Sequence, residues 1–161
     1  MMLHKLQFDD FDEPVFHAFA IHTTIEPYRL SFFLNEKLQI HLKPNDKGFE
    51  AVFKKEIRTF TGYSYHNEDT DEIFDLVKNS QTFIETLKPA ANSLFNDSIE
   101  WRSAKMYLVP EFKKADYILR IENAAQAPEE LAEKIKTIPT TTFVQLLNVD
   151  ELKSKNNLIF Y

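Results

Sequence analysis

From position 15 the chain alternates bulky apolar residues with small or polar ones. Val15 to Thr23 reads VFHAFAIHT, with Phe19 and Ile21 on one face, the period of two expected of a strand. The period then changes. From Glu26 to Leu38, Leu30, Phe33, Leu34 and Leu38 recur at helical spacing and Tyr28 and Phe32 widen the stripe, which predicts an amphipathic helix packed on a sheet. Thr23 and Glu26 fit a capping box, with Pro27 near the first turn. Lys43 to Gly48 carries turn chemistry, and Phe49 to Lys54 reads as a strand with either Phe49 and Val52 or Ala51 and Phe53 turned inward. Phe60 to His66 alternates again and, across the polar turn 67–71, a hairpin return over Glu72 to Lys78 is favoured above a helix. Phe83, Ile84 and Leu87 suggest one short helix before Pro89.

The second half repeats the alternation. Met106 to Phe112 and Ala115 to Glu122 are strand candidates, although Pro110 demotes the first to an edge or a bulge. Pro128 suits the first position of a helix that runs to Ile138, with Glu129 and Glu130 at its positive end. Thr141 to Val149 is then a strand, and the apolar tail Leu158 to Tyr161 is expected to be tied down. This order predicts a single α+β domain over residues 1–161, a mixed or antiparallel sheet with two main helices on one face. Strand-helix-strand units near Val15 to Phe53 and Ala115 to Val149 hint at a ferredoxin-like plan at both ends. Residues 1–14, with Asp9, Asp10, Asp12 and Glu13, are expected to be a mobile acidic segment.

Composition narrows the chemistry. The 161 residues are 43% hydrophobic and 27% charged, near the usual globular proportions, so disorder and fibre are excluded. No cysteine is present, which removes disulfides, thiolate metal sites and thiol nucleophiles. Gly48 and Gly62 are the only glycines where average usage would give roughly eleven, so neither a dinucleotide fingerprint nor a P-loop can be built. The net charge of -6 argues against a nucleic-acid surface, because phosphate backbones are bound chiefly by lysine and arginine. No apolar run reaches the ~20 residues of a membrane span, and the acidic N-terminal cluster does not suit a signal peptide. A cytoplasmic location is expected.

Val109 to Tyr117 reads VPEFKKADY. It resembles the signature of the IPExxxVDY family of small bacterial proteins, with Pro110-Glu111 and Asp116-Tyr117 at the family's spacing and Val109 and Ala115 as mild apolar replacements. The blocks Ala20 to Thr23 with Tyr28 to Leu30, and Lys153 to Phe160, are similar to the family as well, so the resemblance spans the chain. It implies no activity, since that family is uncharacterised. It does imply genes for a double-strand-specific ribonuclease and pyruvate kinase as neighbours, which makes an RNA-associated role a third reading, opposed by the charge.

Glu111 and Asp116 are the obvious paired carboxylates. Hydrogen bonding to backbone or to Arg29 that fixes the turn, with Tyr117 in the core, is favoured over catalysis. His22, His41 and His66 with Asp69 or Asp71 lack the spacing of a helical metal site, and the acidic runs lack the calcium-loop pattern. His22, at a strand end before a helix, is placed where α/β-type proteins put functional groups. Lys153, Lys155, Asn156 and Asn157 could cap strand ends or bind an anion, and Lys113 with Lys114 forms a second basic pair. The phenylalanines are read as core before a stacking platform for bases, for want of basic flanks. No catalytic, cofactor-binding or metal-ligating residue and no cofactor is expected. The favoured function is a non-enzymatic protein-interaction or binding module, self-associating or with a protein partner. The alternative is a ligand-binding or enzymatic pocket gathering His22, Arg29, Glu111, Asp116 and Tyr117.

Overall fold

A computed structural model describes residues 15–87 and 100–160. The expected acidic segment 1–14 lies outside the described residues. The alternating stretch that begins the described chain forms β1 (Phe16–Thr23), and the helical stripe forms α1 (Pro27–Leu38). After the two-residue β2 (Lys43–Pro44), β3 (Phe49–Phe53) and β4 (Glu56–Phe60) make a separate two-stranded ribbon. The hairpin of β5 (Gly62–Asn67) and β6 (Glu72–Lys78) follows, then a second ribbon of β7 (Ser80–Leu87) and β8 (Glu100–Tyr107). Next come β9 (Tyr117–Glu122), α2 (Pro128–Lys136) and β10 (Thr141–Leu146). The main sheet has six strands in the order β10-β1-β9-β6-β5-β2, every neighbouring pair antiparallel.

The sheet is buried on both faces, and the alternation of its strands decides which residues go where. Phe19, Ile21, Phe74, Leu76, Tyr117, Leu119 and Ile121 share one core with Leu30, Leu34 and Leu38 of α1 and Leu131 and Ile135 of α2. Both helices therefore lie on this face, and the chain is α+β. The opposite face carries Phe16, Ala18, Ala20, Val77 and Ile118, clustered with Phe49 and Phe60 of the first ribbon and with Leu147 and Leu158 of the C-terminal segment. The tail, built of 3-10 turns over Val149–Glu151 and Lys155–Leu158, is held to the fold by its buried Leu158.

Several sequence expectations need correction. Thr23 and Glu26 form no capping box: Glu26 is itself the N-cap, without a side-chain cap bond, and Pro27 fills the first helical position where no donor is needed. Tyr28 and Phe32 do not widen the apolar stripe but stay exposed. The segment around Phe83 and Ile84 is strand β7, not a helix, because its residues alternate between half-buried and exposed and pair with β8. Pro110 does not sit in a strand; β8 ends at Tyr107 and Pro110–Phe112 is a 3-10 turn, which a proline initiates well. Phe49 and Ala51 turn inward with Phe53, whereas Val52 is exposed. The first strand-helix-strand unit, near Val15 to Phe53, does not close in one sheet, since β3 pairs with β4 in its own ribbon.

Gly62 marks a close approach. A Cβ there would collide with the carbonyl oxygen of Leu76 and the ring of Phe49, so the β5 backbone passes where only a hydrogen fits. Gly62→Ala is expected to lower stability by about 2–3 kcal/mol, as overpacking does, read as a fall in the urea midpoint.

Candidate functional site

The VPEFKKADY segment forms a turn that packs around one residue, Asn79, at the junction of β6 and β7. Asn79 is fully buried. Its backbone N–H donates to the Asp116 carbonyl (3.0 Å) and its carbonyl accepts from Leu108 N–H (2.7 Å). Its side-chain Oδ1 accepts from Val109 N–H (2.9 Å), and Nδ2 donates to the carbonyls of Phe112 (2.9 Å) and Ala115 (3.0 Å). One amide thus closes both ends of the turn in a place water does not reach.

The signature's own polar groups reach outward from this hub to distant elements. Glu111 accepts from the Ser154 hydroxyl (2.6 Å) and the Ser154 backbone N–H (2.9 Å), tying the turn to the C-terminal tail. Burial alone would push the Glu111 carboxyl up, but these hydrogen bonds and those of neighbouring backbone hold it below its ordinary value. Asp116 Oδ2 accepts from Thr23 N–H (2.9 Å), at the point where the β1–β10 register shifts and a β1 donor would otherwise lose its partner. The Tyr117 hydroxyl donates to the Ile25 carbonyl (2.8 Å) and fixes the entry to α1. Burial, then the neighbouring Asp116 charge, pushes the phenol up to about 12, so it remains a donor at any ordinary pH.

The structure does not gather His22, Arg29, Glu111, Asp116 and Tyr117 into one pocket. His22 and Glu111 border a shallow depression of about 370 Å³ with Lys113, Lys114 and Phe143, and the His22 ring meets Phe143 edge-on at 5.3 Å. Tyr117 lies on the helix-covered face and borders a different cavity, of about 420 Å³, with Pro27 and Tyr63. Arg29 is exposed on α1, and among the described residues its side chain is not bonded to either carboxylate. The C-terminal block from Lys153 to Asn157 does meet the signature. Lys153, Asn156 and Asn157 line a groove of about 800 Å³ with Glu111, Val52 and Ile57. Asn157 Nδ2 donates to the Leu108 carbonyl (2.9 Å), and Lys155 stands 3.5 Å from Asp150.

The other histidines are apart. His41 packs edge-on against Tyr65 at 5.7 Å, and His66 is paired with Asp71 at 2.9 Å on the surface. Among the described residues, no three histidine or carboxylate side chains converge as metal ligands would. No described helix is long and apolar enough to cross a membrane.

Two features escape sequence reasoning. Asn79 lies in a stretch whose pattern is weak. The second is a buried ion cluster on the ribbon-covered face: Arg120, only 2% exposed, donates to Asp75 (3.2 Å) and Glu122 (2.8 Å), and its guanidinium stacks over Phe16 at 4.5 Å. No protein-family model matches the chain, and no curated protein or solved structure matches it either.

Proposed function

We propose that the protein is a non-enzymatic interaction module that works by strand addition, pairing β10 with β10 of a second copy. The observation that carries this reading is the outer edge of the sheet. β10 has only β1 beside it, and Leu147 N–H donates to Ala18. Alternation along the regular part of this antiparallel pair then directs the N–H and C=O of Val144 and Leu146 away from β1. Among the described residues these groups have no backbone partner. Monomeric proteins guard such edges with lysine, proline or bulges. Thr141 to Leu146 reads TTFVQL, without a charge or a proline; its register shift against β1 is confined to the Thr141 end, and the strand beyond it exposes Phe143 (52%) and Leu146. In a chain of net charge -6, an uncharged strip is where two copies meet with least repulsion.

A ligand pocket built on the signature is the weaker reading, because the carboxylates of Glu111 and Asp116 are already engaged within the fold. On the resemblance of its sequence we take the chain as a cytoplasmic bacterial member of the IPExxxVDY family, and the internal bonding of Glu111 and Asp116 supports a signature that serves folding. A ferredoxin-like plan with two inserted ribbons is supported by strand order. Read as β1, α1, β6, β9, α2 and β10, the strands lie fourth-first-third-second, with β1 parallel to β6 and β9 parallel to β10.

Sedimentation velocity tests the edge pairing. The protein is expected to dimerise with rising concentration, and Phe143→Lys, an exposed change, is expected to weaken the dimer by about tenfold or more through like-charge opposition. A wild-type chain that stays monomeric into the high micromolar range overturns the proposal, as does a Phe143→Lys variant that dimerises equally well.

A further inference from the structure

The geometry points to a second binding site: a cationic groove between the two β-ribbons that takes an extended acidic peptide of a partner protein. The groove has a volume of about 750 Å³ and lies between β3–β4, β7–β8 and the Pro110 turn. Lys54, Arg58, Arg102, Lys105 and Lys113 line it, against the carboxylates Glu56 and Glu85. Arg58 bridges both of those carboxylates, at 2.6 and 3.0 Å, and among the described residues Lys54, Lys105 and Lys113 make no ion pair with them, while Arg102 stands opposite Glu85 across the ribbon. In a chain of net charge -6 this local excess of positive charge is the opposite of the average surface.

Two details show how the charge is held. Lys105 and Lys113 place their ammonium groups 5.5 and 5.7 Å from the ring centre of Tyr107. The negative face of the ring offsets part of their repulsion, and a carboxylate between them would offset the rest. At the groove's other side, Lys54 and Lys55 form the two-residue loop of the β3–β4 hairpin, both in the left-handed region at φ 48° and 68°. Such loops favour Asn-Gly, and a lysine there carries backbone strain that a smaller residue would avoid. Lys54 lines the groove, and function there gives a reason to keep a lysine at that position.

The choice of a peptide over a nucleic acid follows from what flanks the charge. Ile84 and Trp101, 70% and 69% exposed, are diagonal neighbours on the ribbon, since Ile84 pairs with Ser103 and Thr86 with Trp101. Lys105 and Tyr107 continue the same face of β8, whereas Arg102 and Glu85 lie on the opposite face of the ribbon. The first of these faces therefore offers an apolar end at Trp101 and a cationic end at Lys105 about 13 Å apart. Glu56 and Glu85 interrupt the positive track where a continuous phosphate backbone would have to pass, whereas a peptide with spaced carboxylates and apolar residues avoids them.

The test is fluorescence anisotropy with a short labelled peptide alternating glutamate and leucine. Its glutamine–leucine counterpart and a single-stranded oligonucleotide serve as comparators. The acidic peptide is expected to bind, and to bind more weakly as salt rises. The double change Lys105→Glu and Lys113→Glu is expected to weaken binding by about tenfold or more. The double change Lys134→Glu and Lys136→Glu on α2, which alters net charge equally, is expected to leave it unchanged. Phe143→Lys is likewise expected to bind the peptide normally, so failure here and failure of β10 pairing are read separately. Equal binding of the glutamine peptide, equal loss in the α2 control, tighter binding of the oligonucleotide, or no binding of the acidic peptide would each overturn the inference.

Discussion

Asn79→Ala is expected to destabilise the protein by about 3–5 kcal/mol, more than any other single truncation of an uncharged polar side chain in the described fold. The substitution removes few atoms from the core. What it leaves behind are the N–H of Val109 and the carbonyls of Phe112 and Ala115, which lose their side-chain partner. Each polar group stranded in an apolar site costs about 1–3 kcal/mol, far more than the net gain from an ordinary hydrogen bond. A fall in the urea midpoint with an unchanged slope would show this directly, since the exposed area on unfolding is the same. Asn79→Asp separates the hydrogen bonds from the packing. It keeps the acceptor for Val109 N–H but turns a carboxylate towards two carbonyls, so it is expected to be at least as harmful near neutral pH and to recover partly in acid. A loss below about 1 kcal/mol in Asn79→Ala would show that the turn is held by its apolar contacts instead.

β1 and β6 are buried on both faces, and they were legible as strands because bulky apolar side chains alternate there with small or polar ones. Both helices were legible because burial of a single stripe forces the period that hydrophobicity displays. β7 misled for the same physical reason. Phe83 turns towards the Phe60 ring at 5.7 Å while Ile84 faces solvent, so two adjacent large apolar residues imitate one helical face although they lie on opposite sides of a ribbon. Hydrophobicity cannot separate an exposed isoleucine from a buried one. Thr23 misled as a cap because its backbone N–H is taken by Asp116, 93 residues away in sequence. The signature shows the same limit. The spacing of Pro110, Glu111, Asp116 and Tyr117 marks a turn, but their partners Ser154, Thr23 and Ile25 come from remote segments. Arg120 falls within the strand candidate Ala115 to Glu122, and nothing local says that a ribbon and the tail will cover it.

Arg120→Met is expected to destabilise by about 3–5 kcal/mol at pH 7, the usual result of removing one partner from a buried ion pair. The methionine can fill the space between Phe16 and Phe160, whose rings lie 4.5 and 5.4 Å from the guanidinium carbon. The loss therefore comes from Asp75, left buried and charged with no cation. Burial already pushes the Asp75 carboxyl up to about 6, outweighing the attraction of Arg120, with the Glu122 charge adding to the rise. A carboxyl group whose folded value lies above its unfolded value, near 3.9, binds more protons when folded. Its stabilising contribution is thus fully present below about pH 4 and is lost as pH rises towards about 6. Asp75→Asn cannot titrate there. The stability of Asp75→Asn minus that of wild type, from urea midpoints, is therefore expected to grow by about 2–3 kcal/mol between about pH 4 and pH 7. Glu111, held below its ordinary value, gives stability in the opposite sense but is common to both proteins and cancels. Arg120→Met should likewise be milder at pH 5 than at pH 7, because protonation removes the stranded charge. A difference that stays flat with pH would mean that Arg120 keeps Asp75 ionised throughout, and the pair would then behave as a permanent ion pair in the core.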